Sequence, residues 1–242
     1  MADQYSRTRL LLGDKGIERL RSARVALFGL GGVGGYTAEA LARSGIGALD
    51  LIDHDTVSLT NLNRQLLATH ETIDQYKVDV AAARIQSIDP SIQVTTYKTF
   101  YLPETAHLFD FSRYDYVIDA IDTVTGKLAL IAAAKEAGVP IISCMGTGNK
   151  LDPSAFRVAD ISKTSGCALA RIMRKECAKR GLKGIKVVYS EELPITPDID
   201  PDEPIPEGST RRSLPGSTAF VPGVAGLIMA GEVIKDLAQI NN

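Results

Sequence analysis

Over the first 150 residues, short apolar runs alternate with stretches whose apolar positions recur at helical spacing. Arg24 to Gly29 (RVALFG) and Ala48 to Asp53 (ALDLID) read as strands, and Val33 to Ser44 between them has helical composition with a stop at Gly45. Together these form a βαβ unit. Lys77 to Ile88 reads as an amphipathic helix closed by Asp89-Pro90. Ile92 to Tyr97, Tyr114 to Ala120 and Pro140 to Cys144 are further strands, with a helix at Gly126 to Ala137 separating the last two. Continuous apolar strands alternating with helices predict a parallel sheet covered on both faces. Right-handed crossovers then gather the functional loops at the carboxyl ends of the strands.

Beyond about residue 150 the rhythm changes. Ala155 to Asp160 and Ile185 to Ser190 read as strands around a basic helix at Cys167 to Arg180. Leu193 to Pro222 is rich in Pro, Gly, Ser and acids and reads as a long loop. The apolar stretch from Phe220 to Ile234 is broken by Pro222, Gly223, Gly226 and Gly231, so it reads as a buried C-terminal helix rather than a membrane span. The expected fold is therefore α/β. It is a Rossmann-like, largely parallel sheet with helices on both faces, extended by C-terminal strands and a basic helical segment. One unit of 242 residues is expected, with a helical arm (1–23), a core (24–150) and an extension (151–242).

Composition narrows the function classes. A formal net charge of −2 gives no global drive toward nucleic acid, which leaves only a local patch. The polar N-terminus does not look like a secretory signal, and a cytoplasmic protein without membrane contact is expected. The three cysteines, Cys144, Cys167 and Cys177, lack CxxC spacing, which argues against a disulfide framework or a four-cysteine zinc site.

The chemistry begins in the first turn. Gly29, Gly31 and Gly34 in Gly29-Leu30-Gly31-Gly32-Val33-Gly34 fit GxGxxG between a strand and a helix. Glycine permits the sharp turn and close approach to a phosphate, and the helix N-terminus offers unpaired N–H groups to an anion. Asp53, about 20 residues on, stands where a carboxylate accepts ribose hydroxyls. These features imply an adenine nucleotide and leave NAD and ATP open. The next segment separates them. Asn61, Arg64, Gln65 and Lys77 have no evident use in a dehydrogenase, whereas a triphosphate needs a guanidinium fork and a compact cation. The fourth strand ends Asp119-Ala120-Ile121-Asp122, and Asp122, beyond the tip, is the better placed of the two acids for Mg²⁺. Asp119 is equally suited to ordering the loop.

Taken together, Tyr5-x-Arg7, GLGGVG at 29–34, DHD at 53–55, NLNRQ at 61–65, Lys77 and DAID at 119–122 resemble the ubiquitin-activating-enzyme-like superfamily of adenylating enzymes. The resemblance implies ATP-dependent adenylation of a carboxylate, with Asp53 on the ribose, Asn61, Arg64 and Lys77 on phosphates, and Asp122 acting with Mg²⁺. Gly32, Asp55 and Gln65 complete the expected nucleotide site. Arg7 matches an arginine that family members donate across a homodimer. Relatives acting on carrier proteins often hold zinc through paired CxxC motifs, which this chain lacks.

Further along, MGTGNKLDP at 145–153, VADISKT at 158–164, ALAR at 168–171, VYSEE at 188–192 and the ending from Gly216-Ser217 to Pro222 resemble the tRNA threonylcarbamoyladenosine dehydratases. This implies that the carboxylate belongs to a modified adenosine in tRNA and that the activated group is closed into a ring with loss of AMP. Such a closure needs no enzyme thiol. From Lys163 to Lys186 eight cations face the single acid Glu176. Arg171, Arg174, Lys175 and Lys179 share a helix face that would track tRNA phosphates, with Leu169, Ile172, Met173 and Cys177 facing inward. Arg211 and Arg212, at the end of the long loop, are further candidates for RNA contact. A sulfur-transfer protein is kept as a further partner. The rival readings are an adenylase for the C-terminus of a small ubiquitin-like sulfur carrier, an NAD-dependent oxidoreductase, and a non-catalytic nucleotide sensor.

Overall fold

In the computed structural model, which describes residues 3–197 and 215–240, seven strands form one sheet in the order β3-β2-β1-β4-β5-β7-β6. The strands are β1 (Arg24–Phe28), β2 (Ala48–Ile52), β3 (Gln93–Tyr97), β4 (Tyr116–Asp119), β5 (Ile141–Cys144), β6 (Phe156–Asp160) and β7 (Lys186–Ser190). The helices are α1 (Ser6–Ser22), α2 (Gly34–Arg43), α3 (Lys77–Ile88), α4 (Val124–Glu136), α5 (Ala168–Lys179) and α6 (Phe220–Ala238). All neighbours pair in parallel except β6, which runs antiparallel to β7.

Alternation along β1 divides the core in two. Val25 and Leu27 join the apolar layer with Leu41 of α2, Val78 of α3 and Met229 of α6. Ala26 and Phe28 face the other layer, with Leu130 and Ile131 of α4 and Met173 of α5. Full burial of side chains such as Val25, Leu27 and Met229 stabilises the fold by about 1.5–3 kcal/mol each. Helices α2 and α6 approach closely because Gly226 has no side chain: a Cβ there would stand 2.3 Å from the Val33 carbonyl oxygen. Thr37 Oγ1 completes the contact by donating to the Gly226 carbonyl at 3.1 Å.

The sheet departs from the expected pattern at its edges. β3 and β6 are partly exposed, because an edge strand has a neighbour on one side only. The long loop expected over 193–222 ends earlier, since α6 starts at Phe220 and takes Pro222 in its first turn, where the missing N–H costs nothing. The rest of that loop expectation, with Arg211 and Arg212, falls on residues 198–214, outside the described residues. In the N-terminal arm, α1 is interrupted at Gly13 (φ +70°). Tyr5 pins the start of the arm: it is buried, and its hydroxyl donates to Asp89 at the end of α3. Among the described residues no helix is long and apolar enough to cross a membrane.

Candidate active site

The carboxyl ends of β1, β2, β4 and β5 open onto one cavity of about 680 Å³, within the range of small-molecule sites. The turn after β1 is shaped by positions that exclude a side chain. Gly29 adopts φ +91°, and a Cβ there would meet the Ala120 carbonyl oxygen at 2.8 Å. A Cβ on Gly34, the first residue of α2, would fall 1.8 Å from the Gly29 carbonyl oxygen. At Gly31, by contrast, the nearest neighbour of a Cβ would be Gln65 Nε2 at 4.0 Å, so the backbone there is open to a ligand. A Cβ on Gly32 would stand 3.2 Å from the Pro222 ring.

Asp53, at the end of β2, orders this turn. One carboxylate oxygen accepts the Leu30 N–H at 2.6 Å and the other the Asp55 N–H at 2.9 Å. A carboxylate has about four lone-pair sites, so acceptor capacity remains for a ribose. Asn61 is buried, and its side-chain oxygen accepts the Ser58 N–H at 3.2 Å. Lys77, the first residue of α3, is buried with its ammonium 2.7 Å from Asp55. Arg64 is half-buried and spends one terminal nitrogen on the Thr60 carbonyl (3.0 Å) and Asn63 Oδ1 (2.9 Å). The remaining N–H groups of its fork are not committed by these bonds. Gln65 is buried with Oε1 lacking a partner, as a site built for a polar ligand would leave it.

The structure separates the two acids of DAID. Asp119 is fully buried in an ion pair with Lys127, whereas Asp122 is exposed and lines the cavity. Gly29, Gly31, Gly32, Asp53, Asp55, Asn61, Arg64, Gln65, Lys77 and Asp122 therefore line one cavity, whereas Gly34, packed against the Gly29 carbonyl oxygen, shapes the turn without reaching the lining. Asp53, His54 and Asp55 are also close enough together to hold an ion. Asp55, however, is already paired with the Lys77 ammonium, and its other oxygen lies 3.1 Å from His54 Nε2.

Two further sets of expected residues do not line this cavity. Arg7 is exposed on α1 and does not line the cavity of its own chain. On α5, Arg171, Lys175 and Lys179 are exposed, but Arg174 is half-buried and donates to the Thr164 carbonyl at 2.5 Å and its hydroxyl at 2.9 Å. Lys179 pairs with Glu176 at 2.7 Å. Lys179 and Arg180 hold the Glu176 carboxyl down at about 2. The inward face also differs from expectation: Met173 and Cys177 are buried, but Ile172 is 45% exposed, because the helix meets α4 along a narrower stripe.

The ThiF family model matches residues 5–242. The chain belongs to the ThiF family. This ThiF-family chain is 45% identical to the tRNA threonylcarbamoyladenosine dehydratase of Bacillus subtilis (strain 168), over 99% of this chain and 96% of that protein. It is 37% identical to the Escherichia coli (strain K12) protein of the same name, over 81% of this chain and 76% of that protein. The crystal structure of E. coli tRNA N6-threonylcarbamoyladenosine dehydratase in complex with ATP superposes with a TM-score of 0.87 at 32% identity, covering 98% of this chain and 94% of that one. An adenylyltransferase and sulfurtransferase of Culex quinquefasciatus is 31% identical over 96% of this chain, but the chain spans only 46% of that protein.

Three features of this ThiF-family site were not read from the sequence. Lys127 is fully buried and donates to both oxygens of Asp119 at 3.0 Å. Ser143 Oγ lies 3.3 Å from the same ammonium and donates to Asp119 Oδ2 at 2.5 Å. This cluster ties the tip of β4 to that of β5 beneath the cavity. Lys150, buried, lines the far side of the cavity. Cys144 and Cys167 also reach the lining, and burial pushes the Cys144 thiol up to about 12. All three cysteines are buried and free, and Cys167 caps α5 by accepting the Ala170 N–H.

Proposed function

We propose that this protein is an ATP-dependent dehydratase that activates the carboxylate of threonylcarbamoyladenosine in tRNA and lets it cyclise. The observation that carries the reading is the convergence of Arg64, Lys77 and Asp122 on the cavity bounded by the glycine turn and Asp53. Support comes from the 45% identical B. subtilis dehydratase and from the E. coli dehydratase whose structure holds ATP.

A carboxylate is a poor electrophile because its leaving group is poor. Attack of a carboxylate oxygen on the α-phosphorus of ATP expels pyrophosphate and gives the substrate AMP as a leaving group. A nucleophile of the neighbouring carbamoyl group then attacks the activated carbonyl and AMP departs, so the nucleoside loses one water overall. The attack is intramolecular, which confers a large proximity advantage. The protein's part is electrostatic and positional. Arg64 and Lys77 stabilise charge developing on the pyrophosphate, and the pairing of Lys77 with Asp55 keeps its ammonium in place. An exposed carboxylate at a strand tip suits Mg²⁺, which is typically bound through one or two carboxylates plus phosphate oxygens. Asp122 would hold it, and the ion would neutralise phosphate charge. No step requires a thiolate, in keeping with the burial of all three cysteines.

Placement supports the finer parts of the reading. Arg7, exposed on an arm pinned through Tyr5, serves a partner subunit's site in a homodimer, as the family resemblance implies. Arg171 and Lys175 lie one turn apart on the exposed side of α5 and meet tRNA phosphates, while Ala168 and Leu169 of the same helix border the cavity. The substrate places the enzyme in the cytoplasm. A sulfur-transfer protein remains a further partner, by analogy with the fused adenylyltransferase and sulfurtransferase.

The deciding experiment is mass spectrometry of tRNA nucleosides after incubation with ATP and Mg²⁺. The modified adenosine is expected to lose one water in the presence of the wild type and to remain intact with Asp122→Ala. An unchanged nucleoside, together with ATP–pyrophosphate exchange driven by a carrier protein, would move the assignment to the sulfur-carrier class.

A further inference from the structure

The site residues are laid out across the sheet in an order that leaves one cation without a role. Asp53 follows β2, the glycine turn follows β1, Asp122 follows β4, and the segment Met145 to Lys150 follows β5. With neighbouring strands about 4.8 Å apart, the β5 segment lies roughly 10 Å across the sheet from the glycine turn. The nucleotide therefore occupies the β2–β1–β4 side, and the space under the β5 segment remains for the group that attacks the nucleotide and is activated by it.

Lys150 lines that space. It is 5% exposed, and its ammonium donates to the Glu192 backbone carbonyl. No carboxylate among the described residues lies within ion-pair distance of it. A buried ammonium with only a neutral partner is costly, and the cost is offset when an anion enters beside it. The segment is also held from several sides. Asn149 adopts a left-handed conformation (φ +59°), donates its N–H to the Gly216 carbonyl at 2.8 Å and accepts the Gly216 N–H on Oδ1 at 2.6 Å. Its own carbonyl accepts the Ile195 N–H at 2.8 Å. On the other flank, the Glu192 carboxylate accepts the N–H groups of Leu151 and Asp152 at 2.9 and 3.0 Å. A strained residue fixed by this many bonds is a device for presenting the next side chain.

We infer that Lys150 is the docking cation for the substrate carboxylate, holding it on the β5 side of the cavity before activation. The inference rests on the reading above and assigns one residue within it. Arg64 and Lys77, on the opposite wall, serve the triphosphate, so the two anions meet the site through separate cations. This separation keeps the carboxylate from competing for the phosphate subsite.

The test compares two anticodon stem-loops, one carrying threonylcarbamoyladenosine and one carrying its methyl ester, which lacks the charge. The wild type is expected to bind the acid tighter than the ester by about 10- to 100-fold, the range for a charge-assisted hydrogen bond. Lys150→Met is expected to bind both equally and to retain wild-type ATP affinity, which also reports that it is folded. Lys150→Arg should restore part of the preference. Retention of the preference by Lys150→Met overturns the inference while leaving the dehydratase reading intact, as does a loss confined to ATP affinity. Absence of any dehydration of modified tRNA by the wild type overturns both.

Discussion

Replacing Lys127 by methionine strips the buried cluster beneath the cavity of its only cation while keeping a side chain of similar length. Asp119, itself fully buried, is then left with the Ser143 hydroxyl and the Ile121 N–H, the latter at 3.3 Å. Breaking a buried ion pair by removing one partner costs about 3–5 kcal/mol, because the surviving charge has lost its compensation. At roughly 2–4 °C per kcal/mol for a chain of this size, the melting temperature should fall by roughly 6–20 °C. Equilibrium urea denaturation followed by circular dichroism measures the loss as a lower midpoint at unchanged slope. The control is Asp119→Asn/Lys127→Met. With both charges gone, an amide still accepts from Ile121 and meets Ser143, so the double variant should recover most of the loss and reveal a coupling energy of about 2 kcal/mol or more. The reasoning fails if Lys127→Met lies within about 1 kcal/mol of the wild type, or if the double variant is no more stable than the sum of the single changes predicts. Because Asp122 is three residues beyond Asp119, ATP–pyrophosphate exchange should also fall in Lys127→Met.

Three shorter predictions accompany this one. Gly34→Ala brings a Cβ to 1.8 Å from the Gly29 carbonyl oxygen, so ATP binding measured by calorimetry should be abolished, and a retained affinity would show that the turn is not the phosphate cradle. With its thiol pushed up to about 12, Cys144 is protonated near neutrality; it should resist iodoacetamide at pH 8, and a variant with all three cysteines changed to alanine should keep dehydration within a few-fold of wild type. Loss of activity in a folded triple variant would reinstate a thiol relay. Arg171→Glu/Lys175→Glu should weaken tRNA binding and lower the salt slope by about 1 to 2 while sparing ATP, and an unchanged slope would remove α5 from the RNA surface.

The strands were legible because most are buried on both faces, which writes a continuous apolar run such as VALF of β1. The helix α3 was legible to the residue because Asp89-Pro90 closes it. The direction of β6 was not, since antiparallel pairing depends on where the intervening chain travels and leaves no mark on FRVAD itself. Among site residues, those in a linear motif were readable, and those defined by a tertiary partner were not. Lys127 looks like the surface of a helix until the carboxylate of Asp119 is found beside it. Arg174 belongs to a cationic stripe by spacing, yet its guanidinium is spent on anchoring Thr164. The period of a helix cannot distinguish a cation that faces solvent from one that fastens a loop.

The bonds around Asn149 have an evolutionary consequence. Ile195 and Gly216, far apart in sequence, both bond to this single residue, so the two positions are held close together in space. The entropic cost of holding two chain positions together grows only slowly with their separation in sequence, by about 0.6 kcal/mol per doubling. Two anchors on one residue therefore fix the position of Asn149, and with it that of Lys150, independently of the number of residues between them, which makes the separation of Ile195 and Gly216 along the chain a feature that relatives can vary while keeping this presentation.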